Sequence, residues 1–289
     1  MPISNELQGN TELGHPVAIG GVGGSGTRLF CKILSELGYW MGEDLNDSLD
    51  NLLFTLIFKN DTSVKCIDSE FEEAVTLFAK RMKMGSILTP VEIDFIKRFS
   101  MKDNPATTRP LWLDERIEII SRQSQLEQGR IQGWGWKEPN THILIDRLVK
   151  CIPDLKYIHV MRNGLDMAFS DNQNQLRRWW WLVFEKAPKF DPKASLSYWC
   201  WVHKRMLSIG KTLGENFYLV NYDNFCANPE IGLQKLLKFL NFEIRKEIID
   251  HLLQFVKPPD SIGRYKNEDI SEFSPEDISF VGEMGFPTK

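Results

Sequence analysis

Three features of the chain predict a three-layer α/β fold, a parallel sheet flanked by helices. An apolar run, Val17-Ala18-Ile19, leads into five glycines in seven positions and then directly into an amphipathic helix. Two later apolar runs, Ile131 to Lys137 and Leu155 to Val160, each pass through a turn into a helical pattern. The stretch between the first unit and the second, about 52–130, reads as helices without strands and is expected to be a helical insertion. Strands that alternate with helices pair in parallel, and parallel sheets are covered on both faces.

The 289 residues are expected to form a single domain over 1–289, long enough for a sizeable core. With 42% apolar and 26% charged residues, the composition is that of a soluble globular protein. A net charge of −4 argues against broad nucleic-acid binding. Five scattered cysteines without a C-x-x-C pair indicate neither a zinc site nor a disulfide framework, and fit a reducing compartment. The polar first sixteen residues, with Asn5, Glu6, Gln8, Asn10, Thr11 and Glu12, lack the pattern of a signal peptide. No run reaches membrane-spanning length, so a cytoplasmic protein is expected.

The glycine stretch is the first element. Val17 to Arg28 reads VAIGGVGGSGTR, and Leu29, Phe30, Ile33, Leu34 and Leu37 continue it as one face of a helix that stops at Gly38. Strand, glycine loop and helix together make an anion cradle. Glycines let the backbone turn tightly, and the N–H groups of the first helical turn point at the ligand. Ser25 and Thr27 add hydroxyl donors and Arg28 a charge. The loop is P-loop-like, since Gly21 and Gly26 have the spacing of G-x-x-x-x-G. The Lys and Ser/Thr that should follow are replaced by Thr27 and Arg28, so the lysine for a γ-phosphate and the hydroxyl for magnesium are both missing. The alternative is a glycine turn that only packs a strand on a helix.

Tyr39-Trp40-Met41 is expected as a short second strand. Gly42 to Asn51, with Glu43, Asp44, Asp47 and Asp50, reads as a solvated acidic loop close enough to the first βα unit to reach a site there. Helices follow from Leu53, over Phe71 to Met84, over Pro90 to Phe99 with Thr89 as cap, and over Arg116 to Gln128. Asp103 to Pro110, DNPATTRP, is a loop. Ile131 to Pro139, IQGWGWKEP, is read as a strand ending at Lys137, with Asn140 or Thr141 capping the next helix. The carboxyl end of such a strand lines the ligand crevice of an open α/β sheet; the alternative is an exposed lysine at a turn.

The next strand, LKYIHV, ends in Met161-Arg162, with Asn163-Gly164 as a turn and a helix from Asp166 to Asn172 that carries Ser170. An arginine, rather than the magnesium-binding carboxylate of a P-loop ATPase, suits a second anionic group. The alternative is a surface ion pair. The tryptophans of Arg177-Arg178-Trp179-Trp180-Trp181 and of the helix from Ser195 to Leu213 are read mainly as packing, the alternative being that a minority line an acceptor pocket. Phe217 to Val220 is a strand leading to Asn221-Tyr222-Asp223. Asn228 is expected to cap a helix begun by Pro229, and a further helix spans Ile248 to Phe255. Ser261 to Lys266 is a basic loop able to close over a phosphate through Arg264.

In this order the segments resemble the sulfotransferases that use 3′-phosphoadenosine 5′-phosphosulfate (PAPS). Gly24-Ser25-Gly26-Thr27 is similar to the family's 5′-phosphosulfate loop. Tyr157 to Ser170 is similar to its 3′-phosphate motif, an arginine with a serine eight residues later. Trp136 to Pro139 is similar to its lysine segment, and Val220 to Pro229 to the stretch after the last main strand. The resemblance implies sulfuryl transfer from PAPS, leaving 3′-phosphoadenosine 5′-phosphate (PAP), to a hydroxyl or amine of a small-molecule or glycan acceptor. It implies donor contacts from Gly24, Ser25, Gly26, Thr27, Arg28, Arg162, Ser170, Tyr222 and Arg264, a catalytic Lys137, and no metal. Two places depart from the pattern. Gly24 replaces the loop cation, and no base motif aligns, which leaves Asp44 and Asp50 as the leading carboxylates. A non-catalytic nucleotide- or glycan-binding relative is the alternative, and a P-loop kinase a more distant one.

Overall fold

The computed structural model describes residues 14–101, 110–127 and 131–289. Five strands form one sheet: β1 (Val17–Gly21), β2 (Tyr39–Trp40), β3 (Gly133–Lys137), β4 (Lys156–Met161) and β5 (Phe217–Asn221), in the order β2-β3-β1-β4-β5. The parallel register sets Ile19 opposite Lys137 and Trp40 opposite Trp134. β1, β3 and β4 are buried throughout, which explains why they read as apolar runs rather than as alternating patterns. The α/β class with a parallel sheet and flanking helices is as expected.

The chain divides into two compact units. One comprises Met1–Ile19 and Phe30–Tyr157, the other Gly20–Leu29 and Ile158–Lys289. The first carries most of α1 (Thr27–Glu36), then α2 (Leu52–Phe58), α3 (Asp61–Lys65), α4 (Asp68–Met84), α5 (Pro90–Met101), α6 (Pro110–Ile120) and α7 (Thr141–Cys151). Its core is aromatic: the rings of Phe54 and Phe78 lie 5.6 and 5.2 Å from Trp136, and Phe58 packs on both phenylalanines. α5 starts with a reciprocal cap, in which Thr89 Oγ1 accepts from Glu92 N–H and Glu92 Oε2 accepts from Thr89 N–H.

The second unit holds α8 (Gly164–Ala168), α9 (Asn174–Trp179), α10 (Pro192–Leu213), α11 (Tyr222–Ala227), α12 (Pro229–Phe239), α13 (Lys246–Leu253) and α14 (Pro275–Glu283). Its core gathers Met161, Leu165, Trp199, Tyr265, Phe280 and Phe286. Trp134, Trp136, Trp179 and Trp199 are buried, in keeping with a packing role, while Trp180, Trp181 and Trp201 are half-buried.

Several elements differ from the sequence reading. The helix expected over Arg116 to Gln128 runs instead from Pro110 to Ile120. Beyond it the backbone leaves the helix because distant groups claim it. Arg81 donates to the carbonyls of Ile119 and Arg122, and Gln125 N–H donates to Glu43. α8 ends at Ala168, so Ser170 lies past the helix. There the Gln173 amide donates to the carbonyls of Met167, Ala168 and Ser170 and stops the turn. Asn228 precedes α12 without a side-chain cap; Asn221 instead caps a short α11 that the sequence reading omitted. Arg264–Asn267 forms a 3₁₀ turn within the expected basic loop. The N-terminal polar residues 5–12 and residues 103–109 of the DNPATTRP loop lie outside the described residues.

His203 of α10 is fully buried against Trp199 and His159. Its Nδ1 lies 2.7 Å from the Trp199 carbonyl and therefore carries the proton. Burial pushes the ring down to about 4. Between about pH 6.5 and 4 the unfolded chain binds a proton at this position and the folded chain does not. Stability contributed there is therefore lost as pH falls, by at most about 1.4 kcal/mol per pH unit. Denaturant titrations of wild type and His203→Asn, which keeps a donor for the carbonyl, should show a shallower acid slope in the variant. Equal slopes would exclude His203 as the source.

Candidate active site

In the second unit the glycine loop turns through backbone that only glycine adopts freely. Gly24 and Gly26 have φ of +93° and +95°. A Cβ on Gly26 would fall inside the ring of Tyr222. Tyr222 is thereby seated on the loop, and its ring also faces the Arg162 guanidinium at 5.8 Å. The left-handed backbone at Gly24 accounts for glycine where the resemblance expects a cation, because a side chain there would be strained. Thr27 opens α1, whose first N–H groups have no partners within the helix.

Ser25 is 1% exposed, and its Oγ has no hydrogen-bond partner. A buried hydroxyl left unpaired costs about 1–3 kcal/mol, so one at the mouth of a helix start fits an oxyanion ligand. Arg28, by contrast, is exposed. Arg162, at the end of β4, is held by three groups: Nη1 donates to Gly24 O at 3.3 Å, Nη2 donates to Ser261 Oγ at 3.0 Å, and Nε lies 3.5 Å from Asp223. Burial pushes the Asp223 carboxyl up against the pull of Arg162. The Ser170 hydroxyl accepts from Asn172 N–H, and Arg264 donates to the carbonyl of the neighbouring Phe169 at 3.2 Å. The loop, Arg162, Tyr222 and the Ser170–Arg264 region are thus brought together within this unit.

In the first unit Lys137 is 2% exposed rather than at an open turn. Its Nζ donates to Ser48 O at 2.6 Å and pairs with Asp50 Oδ1. Asn46 supports that loop, as its Oδ1 accepts from Ser48 and Asp50 N–H and its amide donates to Asp50 Oδ2. Glu138, fully buried, takes the Asn140 N–H and amide and pairs with Lys59. The acidic loop is mostly not solvated. Glu43 pairs with Arg81, Asp44 with Arg116 and Asp50 with Lys137, while Asp47 is exposed. Burial raises the Asp44 carboxyl against Arg116. Of the two candidate bases, Asp50 touches Lys137 and Asp44 is tied to Arg116.

The residues missed from sequence are those that hold the candidates: Ser261 and Asp223 on Arg162, Arg116 on Asp44, and Asn46 on the acidic loop. Only Asn46, in the turn-rich Asn46-Asp47-Ser48, carried a local signal. Gly26→Ala should destabilise the protein by about 1–3 kcal/mol, since neither the φ nor the Tyr222 ring accommodates it. A denaturation midpoint equal to wild type would show that the loop and Tyr222 separate freely.

Among solved structures, one superposition supports this architecture at the level of the fold. The sulfotransferase domain of the Synechococcus PCC 7002 olefin synthase superposes with a TM-score of 0.51 at 15% identity, covering 96% of this chain and 98% of that one. The sulfotransferase domain from the curacin biosynthetic pathway gives 0.48 at 12% identity, covering 96% and 99%. The sulfotransferase STF9 of Mycobacterium avium gives 0.45 at 14% identity, covering 93% and 71%. Only the first superposition, with its TM-score of 0.51, bears on the fold, and at 15% identity it bears on the fold alone. No curated protein matches the chain in sequence. The pattern of the Sulfotransferase family matches residues 16–246, from the strand that feeds the glycine loop to the start of α13. That match spans most of the chain, and the protein belongs to the sulfotransferase family.

Proposed function

We propose that the protein transfers a sulfuryl group from PAPS to a hydroxyl or amine of a small-molecule or glycan acceptor. The observation that carries this reading is the orphaned, buried Ser25 hydroxyl beside the start of α1, in a chain of the sulfotransferase family. Ser25, Thr27 and the backbone N–H groups of the loop hold the 5′-phosphosulfate. Arg162, Ser170 and Arg264 hold the 3′-phosphate, and Tyr222 keeps the loop in shape beneath it. Five free cysteines fit the reducing cytoplasm as its place of work.

The acceptor oxygen or nitrogen attacks sulfur, and the bond from sulfur to the bridging oxygen breaks. Lys137 donates to that oxygen as negative charge builds on it. Asp50 receives the acceptor proton, and its contact with Lys137 favours it over Asp44 in this role. Asp44 keeps Arg116 in place. Donors and cations fixed in advance do most of the catalytic work in transfers of this kind.

Melting with PAP, set against ATP plus magnesium, tests the donor. A ligand at about a hundred times its Kd adds about 2.7 kcal/mol, a shift of several degrees for a chain of this size. We expect the shift with PAP alone. Arg162→Ala should weaken PAP about tenfold or more, and equal affinity would remove Arg162 from the site. A shift only with ATP and magnesium would turn the reading to a kinase. PAP binding without transfer across a broad acceptor panel would favour a non-catalytic binder, a reading that the missing charge at Gly24 supports.

Lys137→Met should lower kcat with little change in PAP affinity. Asp50→Asn should lower kcat by about a hundredfold or more, and Asp44→Asn by less. Steady-state kinetics with the first acceptor found would check this, and the reverse ranking would transfer the base role to Asp44.

A further inference from the structure

We propose that Asp166 is the positioning residue for the 3′-phosphate end of the donor site, acting through the segment Ser261–Tyr265. Asp166 lies on α8 and is 3% exposed. Its carboxylate is fully engaged by backbone: Oδ2 accepts from Gly263 N–H at 2.8 Å and Oδ1 from Tyr265 N–H at 3.0 Å. Between and beside those two amides stand the groups that reach the donor site. Ser261 Oγ accepts from Arg162 Nη2, and Arg264 donates to Phe169 O, one residue from Ser170. Gly263, at φ +82°, makes the bend that lets both N–H groups face one carboxylate.

The contact also decides where Arg162 points. Two groups besides Gly24 O compete for its guanidinium: Asp223, 3.5 Å from Nε, and the neutral Ser261 hydroxyl on Nη2. Asp223 competes with an incoming phosphate for the same cation, whereas Ser261 leaves the charge available. By pinning Gly263 and Tyr265, Asp166 keeps Ser261 against Arg162 and Arg264 on the Phe169 carbonyl. Both of its oxygens are taken by amides, Oδ2 by Gly263 N–H and Oδ1 by Tyr265 N–H, so the carboxylate is spent on holding this segment. Asp166 itself touches no donor atom.

This inference rests on the donor reading above, and the test separates the two. The affinities of PAP and of adenosine 5′-phosphate are measured on wild type, Asp166→Ala and Asp166→Asn, since only PAP carries the 3′-phosphate. We expect Asp166→Ala to reduce the preference for PAP about tenfold while adenosine 5′-phosphate binds as before. Asp166→Asn, with one acceptor oxygen in place of two, should fall between. A preference retained in Asp166→Ala overturns the proposal. If that variant does not fold, a wild-type preference in Asp166→Asn overturns it equally. A wild-type protein that does not distinguish PAP from adenosine 5′-phosphate defeats the donor reading itself.

Discussion

A cation taken out of water needs a partner, and two strands of this sheet end in one. Lys137 closes β3 at 2% exposure and Arg162 follows β4 at 8%. An uncompensated buried charge costs several kcal/mol, so each unit has to supply counter-groups. In the first unit the acidic loop does so. Asn46 folds the loop back on itself, Ser48 presents its carbonyl and Asp50 its carboxylate, and the three together hold the lysine. In the second unit Arg162 draws on Gly24, Ser261 and Asp223, which come from three separate segments. The layout of both candidate regions follows from this requirement.

The same requirement bears on the proposed binding of an anion beside Arg162. Partners that are neutral or weakly bonded hold a cation in place without using up its charge, and a carbonyl or hydroxyl is such a partner. Arg162 has two of them. Its third, Asp223, lies 3.5 Å from Nε, and burial pushes its carboxyl up. The glycine loop offers N–H groups and one unpaired hydroxyl in place of a side-chain cation. An anion at this loop is therefore met by fixed dipoles, and by the charge of Arg162 behind Gly24 O. Fixed dipoles lose little to reorganisation, which suits the proposed transfer, in which charge builds on a leaving oxygen.

Much of the scaffold was legible in the chain because it is encoded by neighbours. The apolar runs of β1, β3 and β4, the glycine spacing, the periodicity of α4, α5 and α7, and the Thr89–Glu92 cap each depend on residues within a few positions of one another. The places of two candidate residues were legible to the same depth. Lys137 and Arg162 stand at strand ends as their flanking residues indicate. Two of the failures have one cause. The end of α6 and the pairing of the acidic loop are set by groups far away in sequence, whereas the early stop of α8 comes from the Gln173 side chain five residues beyond Ala168. Arg81 reaches Glu43 across 38 residues and Lys137 reaches Asp50 across 87.

The sequence by itself determined an α/β chain with a glycine cradle, a lysine and an arginine at strand ends, and a family likeness to sulfotransferases. Tertiary structure alone decided that Asp50 rather than Asp44 meets Lys137, that the glycine at position 24 answers to a left-handed backbone, and that Asp166 anchors the segment reaching Arg162. Local pattern fixes which backbone forms, since propensity and periodicity act over a turn or a strand. The partner of a buried charge is chosen by which distant segment the packed chain brings within reach, and no local pattern carries that distance.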